Sequence, residues 1–150
     1  MSQQNPIRVY VTHDWQESDD YLRVFEYLES ARGFFYQNHA KPHVSRGANP
    51  EAERENLRAQ IAGSEVVIAL ASLYRKASAQ ITFQLTFAQA SRKPVLWLQT
   101  FGLKETLSQH LTGLISAEIN WDERAMVDAI RRHARGDNTG RWDVVEFKLD

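Results

Sequence analysis

The segment over residues 65–71, Glu-Val-Val-Ile-Ala-Leu-Ala, constrains the fold more than any other part of this chain. Its apolar residues do not alternate with polar ones, which is typical of a central strand in a parallel sheet that is covered on both faces. Shorter β-branched and aromatic runs predict further strands over 7–12, 34–37, 95–98 and 114–119. The sequence therefore predicts an α/β fold of three layers, in which a five-stranded, mainly parallel sheet has helices on both faces.

Helical patterns separate the predicted strands. They lie over 18–32, 49–62, 78–92 and 104–112, and a last helix follows residue 120. Asn49 and Pro50 are a cap and a favourable first residue for the second helix. Asn120 with Glu123 resembles a capping box for the last helix. The number of strands favours a flavodoxin-like sheet over the six-stranded dinucleotide-binding sheet.

The length of 150 residues predicts one domain over 1–150. Residues 1–6 are expected to form a short polar tail, and residues 136–150 a loop followed by an edge strand or an arm. A formal net charge of -1 argues against nucleic acid or an anionic membrane as a partner. The chain has no cysteine and no apolar run near the ~20 residues of a spanning helix, so a cytoplasmic location is expected.

The carboxyl ends of the strands are the expected place for a ligand in an open parallel sheet. The polar or aromatic residues that follow the first three strands are His13, Asp14, Trp15, Asn38 and Ser72. The first three offer a general base, a carboxylate and a stacking surface in consecutive positions. Each also has a structural alternative, since Asp14 or Ser18 can cap the first helix and Trp15 can pack on the sheet edge.

No cofactor or metal is expected at this edge. The glycine-rich phosphate loops are missing, and the residues over 13–17 are too acidic and bulky for the phosphate loop of an FMN protein. His39 and His43 have a helical metal-ligand spacing, but Pro42 lies between them and no third ligand is evident. Arg46 belongs to the same mildly basic loop, which suits an anionic ligand or a plain solvated surface.

The helix predicted over 78–92 has two apolar faces. One is formed by Ile81, Leu85 and Ala88, and the other by Phe83, Phe87 and Ala90. Gln80 and Gln84 lie on the seam between them. Two apolar faces indicate either deep burial or an interface, so self-association or a protein partner is expected.

Several segments resemble the TIR-like superfamily, in particular its bacterial branch with a flavodoxin-like fold. Residues 9–15, Val-Tyr-Val-Thr-His-Asp-Trp, are similar to the family's opening strand, which reads as two apolar residues, Ser, His, a polar residue and Trp. Residues 57–68 resemble its helix-into-strand segment, and residues 92–96 resemble its Gly-Lys-Pro-Ile strand entry. Gly102 and the Asn-Trp pair at 120–121 also match, and the order and spacing of these pieces carry the resemblance.

The resemblance implies cleavage of the nicotinamide–ribose bond of NAD by a glutamate six residues after the serine that opens the helix. In this chain Gln84 occupies that position and Gln80 replaces the aromatic residue before it. A carboxylate stabilises positive charge that develops at the anomeric carbon, whereas a glutamine contributes no net charge. The expected function is therefore a TIR-like signalling, nucleotide-sensing or protein-interaction module of a bacterial defence pathway, with an NAD-like or other nucleotide ligand and without NAD cleavage.

Two alternatives stay open. The first is an NAD glycohydrolase or cyclase that uses another acid, for which Asp14 is the best candidate. The second is a flavodoxin-like enzyme that acts on some other nucleotide.

Overall fold

A computed structural model of the chain describes residues 1–44 and 46–136. The elements in chain order are β1 (Ile7–Val11), α1 (Asp19–Ser30), β2 (Tyr36–Asn38), α2 (Pro50–Ala62), β3 (Val66–Leu70), α3 (Ala71–Lys76), α4 (Ser78–Ala90), β4 (Val95–Leu98), a 3-10 helix (Gln109–Leu114), β5 (Ala117–Ile119) and α5 (Glu123–Arg135). The predicted α/β fold is confirmed.

The five strands form one sheet in the order β2-β1-β3-β4-β5, and every neighbouring pair is parallel. This is the strand order of the flavodoxin-like fold. β3 lies at the centre and all of its residues are buried, as its uninterrupted apolar sequence predicts. Val9 of β1 is in register with Val66, and Ile68 is in register with Leu96 of β4.

The helices cover both faces of the sheet. α1 packs against α5, and α2 and α3 pack against α4, which also contacts β3 and β4. Right-handed crossovers explain this division, because the chain moves outwards from β1 to β2 and then reverses direction across β3 and β4. The reversal places a topological switch point between β1 and β3.

The two apolar faces predicted for α4 are buried to different extents in the structure. Ile81, Leu85 and Ala88 are fully buried against the sheet. Phe83 is half-buried, and the Arg58 guanidinium of α2 lies 5.4 Å from the centre of its ring. The second apolar face is therefore already partly covered by the domain's own α2.

Some predicted boundaries were wrong. The strand that was expected to run through Ala71 ends at Leu70, because the chain turns there into the short helix α3, which the sequence pattern did not separate from the strand. The cap of α5 is Asp122 rather than Asn120, and its carboxylate accepts a hydrogen bond from Ala125 N at 2.8 Å. β2 and β5 are shorter than predicted, at three residues each.

The remaining expectations concern the termini and membranes. The loop and edge strand or arm expected over 136–150 lie outside the described residues, apart from Gly136 itself, which caps α5 with a φ of 71°. In the described part of the chain, no helix has the length and apolar character needed to cross a membrane.

Candidate functional site

The switch point between β1 and β3 is where this class of sheet binds ligands. Thr12 joins the ends of these two strands through two hydrogen bonds to the backbone of β3. Its N–H donates to Ile68 O at 2.9 Å, and its hydroxyl accepts from Leu70 N at 3.0 Å. The crevice of a flavodoxin-like fold therefore has a sealed floor here, and any ligand would lie above Thr12.

Gln84 lies under the carboxyl end of β1 and has no exposed surface. Its amide oxygen accepts from the Tyr10 hydroxyl at 2.6 Å and from His13 N at 3.3 Å. Its amide nitrogen donates to His13 O at 2.8 Å. Burial raises the pKa of Tyr10, so its hydroxyl stays protonated and is a donor. Both ends of the Gln84 amide are thus committed to the protein.

His13 is a second buried member of this network. Its Nδ1 accepts from Trp15 N at 3.0 Å, which leaves Nε2 as the protonated nitrogen that donates to Gln60 Oε1 at 2.9 Å. The same Gln60 oxygen accepts from Lys41 N at 2.8 Å. Burial lowers the pKa of His13 and favours the neutral ring. His13 therefore ties β1 to α2 and has no free lone pair to act as the general base suggested by the sequence.

Trp15 is held with a positive φ of 61° and is 8% exposed. Its indole N–H donates to Glu53 Oε1 at 3.0 Å, and the same oxygen accepts from the Arg46 guanidinium at 2.9 Å. The hydrogen bond from Arg46 is the main reason that the pKa of Glu53 is lowered. The ring is packed rather than open, so the stacking surface expected from the sequence is largely covered.

Asp14 and Gln80 meet beside Trp15. When the Gln80 amide is assigned by its hydrogen-bonding partners, its nitrogen donates to Asp14 Oδ1 at 3.1 Å and its oxygen accepts from Trp15 Nε1 at 2.8 Å. Asp14 is half-buried. The indole N–H therefore faces both Glu53 and Gln80, and the Asp14 and Glu53 carboxylates are linked through these two side chains.

A crevice of about 260 Å³ opens between the first turns of α2 and α4, directly beside this group. Its lining residues are Pro50, Glu53, Arg54, Leu57, Ala79, Gln80 and Phe83. It combines a carboxylate, a guanidinium, a primary amide and an aromatic ring. Such a set can bind sugar hydroxyls and a base or another flat ring.

The structure brings together only part of the predicted site. Asp14, Trp15, Arg46 and Gln80 lie around Glu53, whereas Gln84 and His13 belong to the buried layer below. Glu53 was missed by sequence reasoning. Nothing in its spacing marks it, because a glutamate in a first turn is ordinary, and only the approach of α2 to α4 gives it a role.

Asn38 and Ser72 lie apart from this group. Asn38 donates to the Tyr21 hydroxyl at 3.0 Å and accepts from Ala40 N at 2.9 Å, so both ends of its amide have a structural partner. Ser72 opens α3, and its buried hydroxyl oxygen has no hydrogen-bond partner among the residues that the structure describes. Of the two, only Ser72 retains an unused polar atom at the carboxyl edge.

Comparisons with known proteins agree with the fold. No family model matches the chain, and no curated protein matches it. Among solved structures, it is similar to the CMP N-glycosidase BcmB of Clostridium botulinum, with a TM-score of 0.52 and 14% identity over 82% of this chain and 97% of that chain. The likeness at this identity is one of fold. The chain is an α/β protein of flavodoxin-like topology, and its fold is shared with an enzyme that acts on a nucleotide.

Proposed function

We propose that this protein is a TIR-like module that senses a nucleoside or nucleotide and does not cleave NAD. The observation that carries the proposal is Gln84, the position at which the resemblance expects the catalytic acid. It is neutral, fully buried and hydrogen-bonded to Tyr10 and to the backbone of His13. A group that is to stabilise charge on a ribose must carry the charge and face the ligand. Gln84 does neither.

The crevice beside Glu53 is the proposed ligand site. Glu53 and Gln80 provide hydrogen-bond acceptors and a donor for sugar hydroxyls, and Phe83 provides a flat apolar wall. Arg54 lies at the same crevice and suits a phosphate or a polar base edge. The volume of about 260 Å³ is slightly below the roughly 300 Å³ at which pockets for drug-sized ligands begin. A nucleoside or mononucleotide therefore fits the crevice better than a complete dinucleotide.

Ligand sensing is better supported than self-association. The apolar residue on which a helix interface would depend, Phe83, lies under Arg58 and contributes to the crevice wall. Phe87 is partly buried and packs against the core. Burial in the chain itself thus accounts for the apolar character of these two positions, which reduces the area left for a second copy.

Binding can be measured by the fluorescence of the chain's tryptophans, because Trp15 touches Glu53 and Gln80. Titration with cytidine, adenosine and their monophosphates is expected to change the emission saturably. Glu53→Gln, which removes the charge but keeps the size, is expected to weaken binding about tenfold, the loss of one hydrogen bond to a charged group. Glu55→Gln, on the exposed side of the same helix, is the matched control and is expected to bind as the wild type does.

The proposal fails if none of these ligands binds, or if the two glutamate variants bind equally. Trp15→Phe separates the signal from the binding. It should abolish most of the fluorescence change, while calorimetry should still detect the ligand.

A second candidate function is hydrolysis of an N-glycosidic bond by a different acid. Asp14 and Glu53 favour it, because the Glu53 carboxylate lines the crevice and the Asp14 carboxylate is linked to it through Gln80 and Trp15. Because the fold is similar to that of a CMP N-glycosidase, a nucleoside monophosphate is the first substrate to test. Release of free cytosine from CMP, lost in both Glu53→Gln and Asp14→Asn but retained in Glu55→Gln, would establish this alternative.

A further inference from the structure

A second cleft lies at the opposite, amino-terminal edge of the sheet, below the starts of β4 and β5. Its volume is about 390 Å³. The described residues that line it are Gln89, Arg92, Lys93, Pro94, Gly113, Leu114, Ile115, Ser116 and His133. Two of these, Arg92 and Lys93, carry a positive charge, and none of the described lining residues is acidic. The cleft is therefore a concave surface of positive potential.

Arg92 adopts a backbone conformation that normally selects glycine. Its φ is 60°, in the left-handed region. It follows the end of α4, where Arg92 N donates to Gln89 O at 3.0 Å and Lys93 N donates to Ala88 O at 2.9 Å. This pair of bonds is the Schellman motif, whose left-handed residue is usually glycine. α5 ends on such a glycine, Gly136 with a φ of 71°.

The helix dipole does not account for this choice. Cations near the carbonyl end of a helix are favourable, but any position in the last turn would supply one without placing a side chain on a left-handed residue. Arginine at this position carries a backbone penalty that glycine avoids. Strained residues of this kind cluster at functional sites, so the conformation of Arg92 suggests a function for its side chain.

Ser116, His133 and Lys93 each offer the cleft a hydrogen-bond donor. Ser116 accepts from Val95 N at 2.9 Å, which leaves its hydroxyl proton to be donated. His133 is half-buried, and both this burial and the neighbouring Arg132 lower its pKa, so the neutral ring presents one N–H. Lys93 is half-buried as well. The planar guanidinium of Arg92 can bind two oxygens of one anion.

We propose that this cleft binds a phosphate group, with Arg92 and Lys93 as the charged contacts and Ser116 and His133 as neutral donors. The site is separate from the crevice beside Glu53, since the two lie at opposite edges of the sheet. A tetrahedral oxyanion suits it better than a carboxylate, because donors arrive from the turn between α4 and β4, from the residue before β5 and from α5.

The test uses inorganic phosphate as the probe, at constant ionic strength maintained with chloride. Phosphate titration, followed through the imidazole proton resonances of His133, is expected to shift those resonances saturably. Arg92→Gly removes the guanidinium and supplies the residue that the backbone favours. It is expected to weaken phosphate binding about tenfold or more, while the midpoint of thermal unfolding is no lower than that of the wild type.

Arg124→Ala is the matched control for the loss of one positive charge, because Arg124 is exposed at the other end of the helix that carries His133. It should bind phosphate as the wild type does. The proposal is overturned if Arg92→Gly binds phosphate normally, or if Arg124→Ala weakens binding equally.

Lys93→Met provides an independent variant if Arg92→Gly does not fold. Weaker phosphate binding by a folded Lys93→Met supports the site, and unchanged binding overturns it. Ribose 5-phosphate in parallel with inorganic phosphate distinguishes a phosphate ester from the free ion as the preferred form.

Discussion

Gln84→Glu is the substitution that would restore the acid expected from the TIR-like resemblance. In this structure it would not restore a catalytic group, because position 84 has no exposed surface and its amide nitrogen donates to His13 O at 2.8 Å. An ionised carboxylate cannot donate that bond, and its oxygen would face the carbonyl oxygen instead. A protonated carboxyl group can replace the amide, because its O–H can donate to the same carbonyl.

The size of the effect follows from this difference. A glutamate has a pKa of about 4.3 in the unfolded chain. If the folded state accepts only the neutral form, the carboxylate must be protonated on folding at pH 7, roughly 2.7 pH units above that pKa. At about 1.36 kcal/mol for each unit, this protonation costs about 3–4 kcal/mol. Below pH ~4 the two states bind the proton equally, and the loss falls to about 1 kcal/mol or less. Destabilisation therefore grows as the pH rises through the unfolded pKa.

Urea denaturation at pH 4.5 and pH 7 measures this. At an m-value of about 2 kcal/mol/M, the midpoint of the variant should fall by about 1.5–2 M at pH 7 and by much less at pH 4.5. Gln84→Met is the control, because it has a similar shape but removes the hydrogen bonds at every pH. Its loss of stability should be the same at both pH values. A Gln84→Glu protein as stable as the wild type at pH 7 would show that the folded state accepts an ionised carboxylate at this position, and so that the side chain reaches solvent.

Two further predictions concern the scaffold. Arg135 donates to both oxygens of Glu65, at 2.6 and 2.8 Å, and chiefly for that reason the pKa of Glu65 is lowered to about 2. The pair thus contributes stability above pH ~4.5, and this contribution is lost as the pH falls towards 2. Glu65→Gln should therefore be less stable than the wild type by about 2 kcal/mol at pH 7. In acid denaturation the difference in stability between the two proteins should shrink as the pH falls from ~4.5 towards 2. Gly47→Ala should lower stability by about 1–3 kcal/mol in thermal unfolding, because φ at Gly47 is 119° and a Cβ there would lie 2.8 Å from Ala52 Cβ; an unchanged midpoint would contradict the backbone geometry.

The sheet was predictable from the sequence because hydrophobic pattern and burial coincide there. The side chains of the uninterrupted apolar run in β3 point to both faces of the sheet, and both sets are buried only when helices cover both faces. The cap of α2 was predictable for a similar reason, since Asn49 accepts from Ala52 N at 2.8 Å through purely local geometry. α3 was not predictable, because its residues continue the apolar pattern of the strand.

The site was only partly predictable. Gln80 and Gln84 lie one turn apart on the same seam of α4, and periodicity alone does not show which of them enters the core. The packing of α4 against β1 decides that Gln84 lies beneath the strand end and that Gln80 reaches Asp14 and Trp15. Glu53 contacts Trp15 across 38 positions of sequence, a tertiary contact that no local pattern encodes.

Nicotinamide release from NAD directly measures whether a protein with Gln84 in place of an acid can cleave this dinucleotide. Purified wild-type protein is incubated with NAD, and the products are separated by chromatography alongside a protein-free control. We expect no release above that control, because the position at which the TIR-like resemblance expects an acid holds a buried amide. Time-dependent release that disappears in Asp14→Asn or Glu53→Gln, but persists in Glu55→Gln, would contradict this expectation and would establish a glycosidase that works with a different acid.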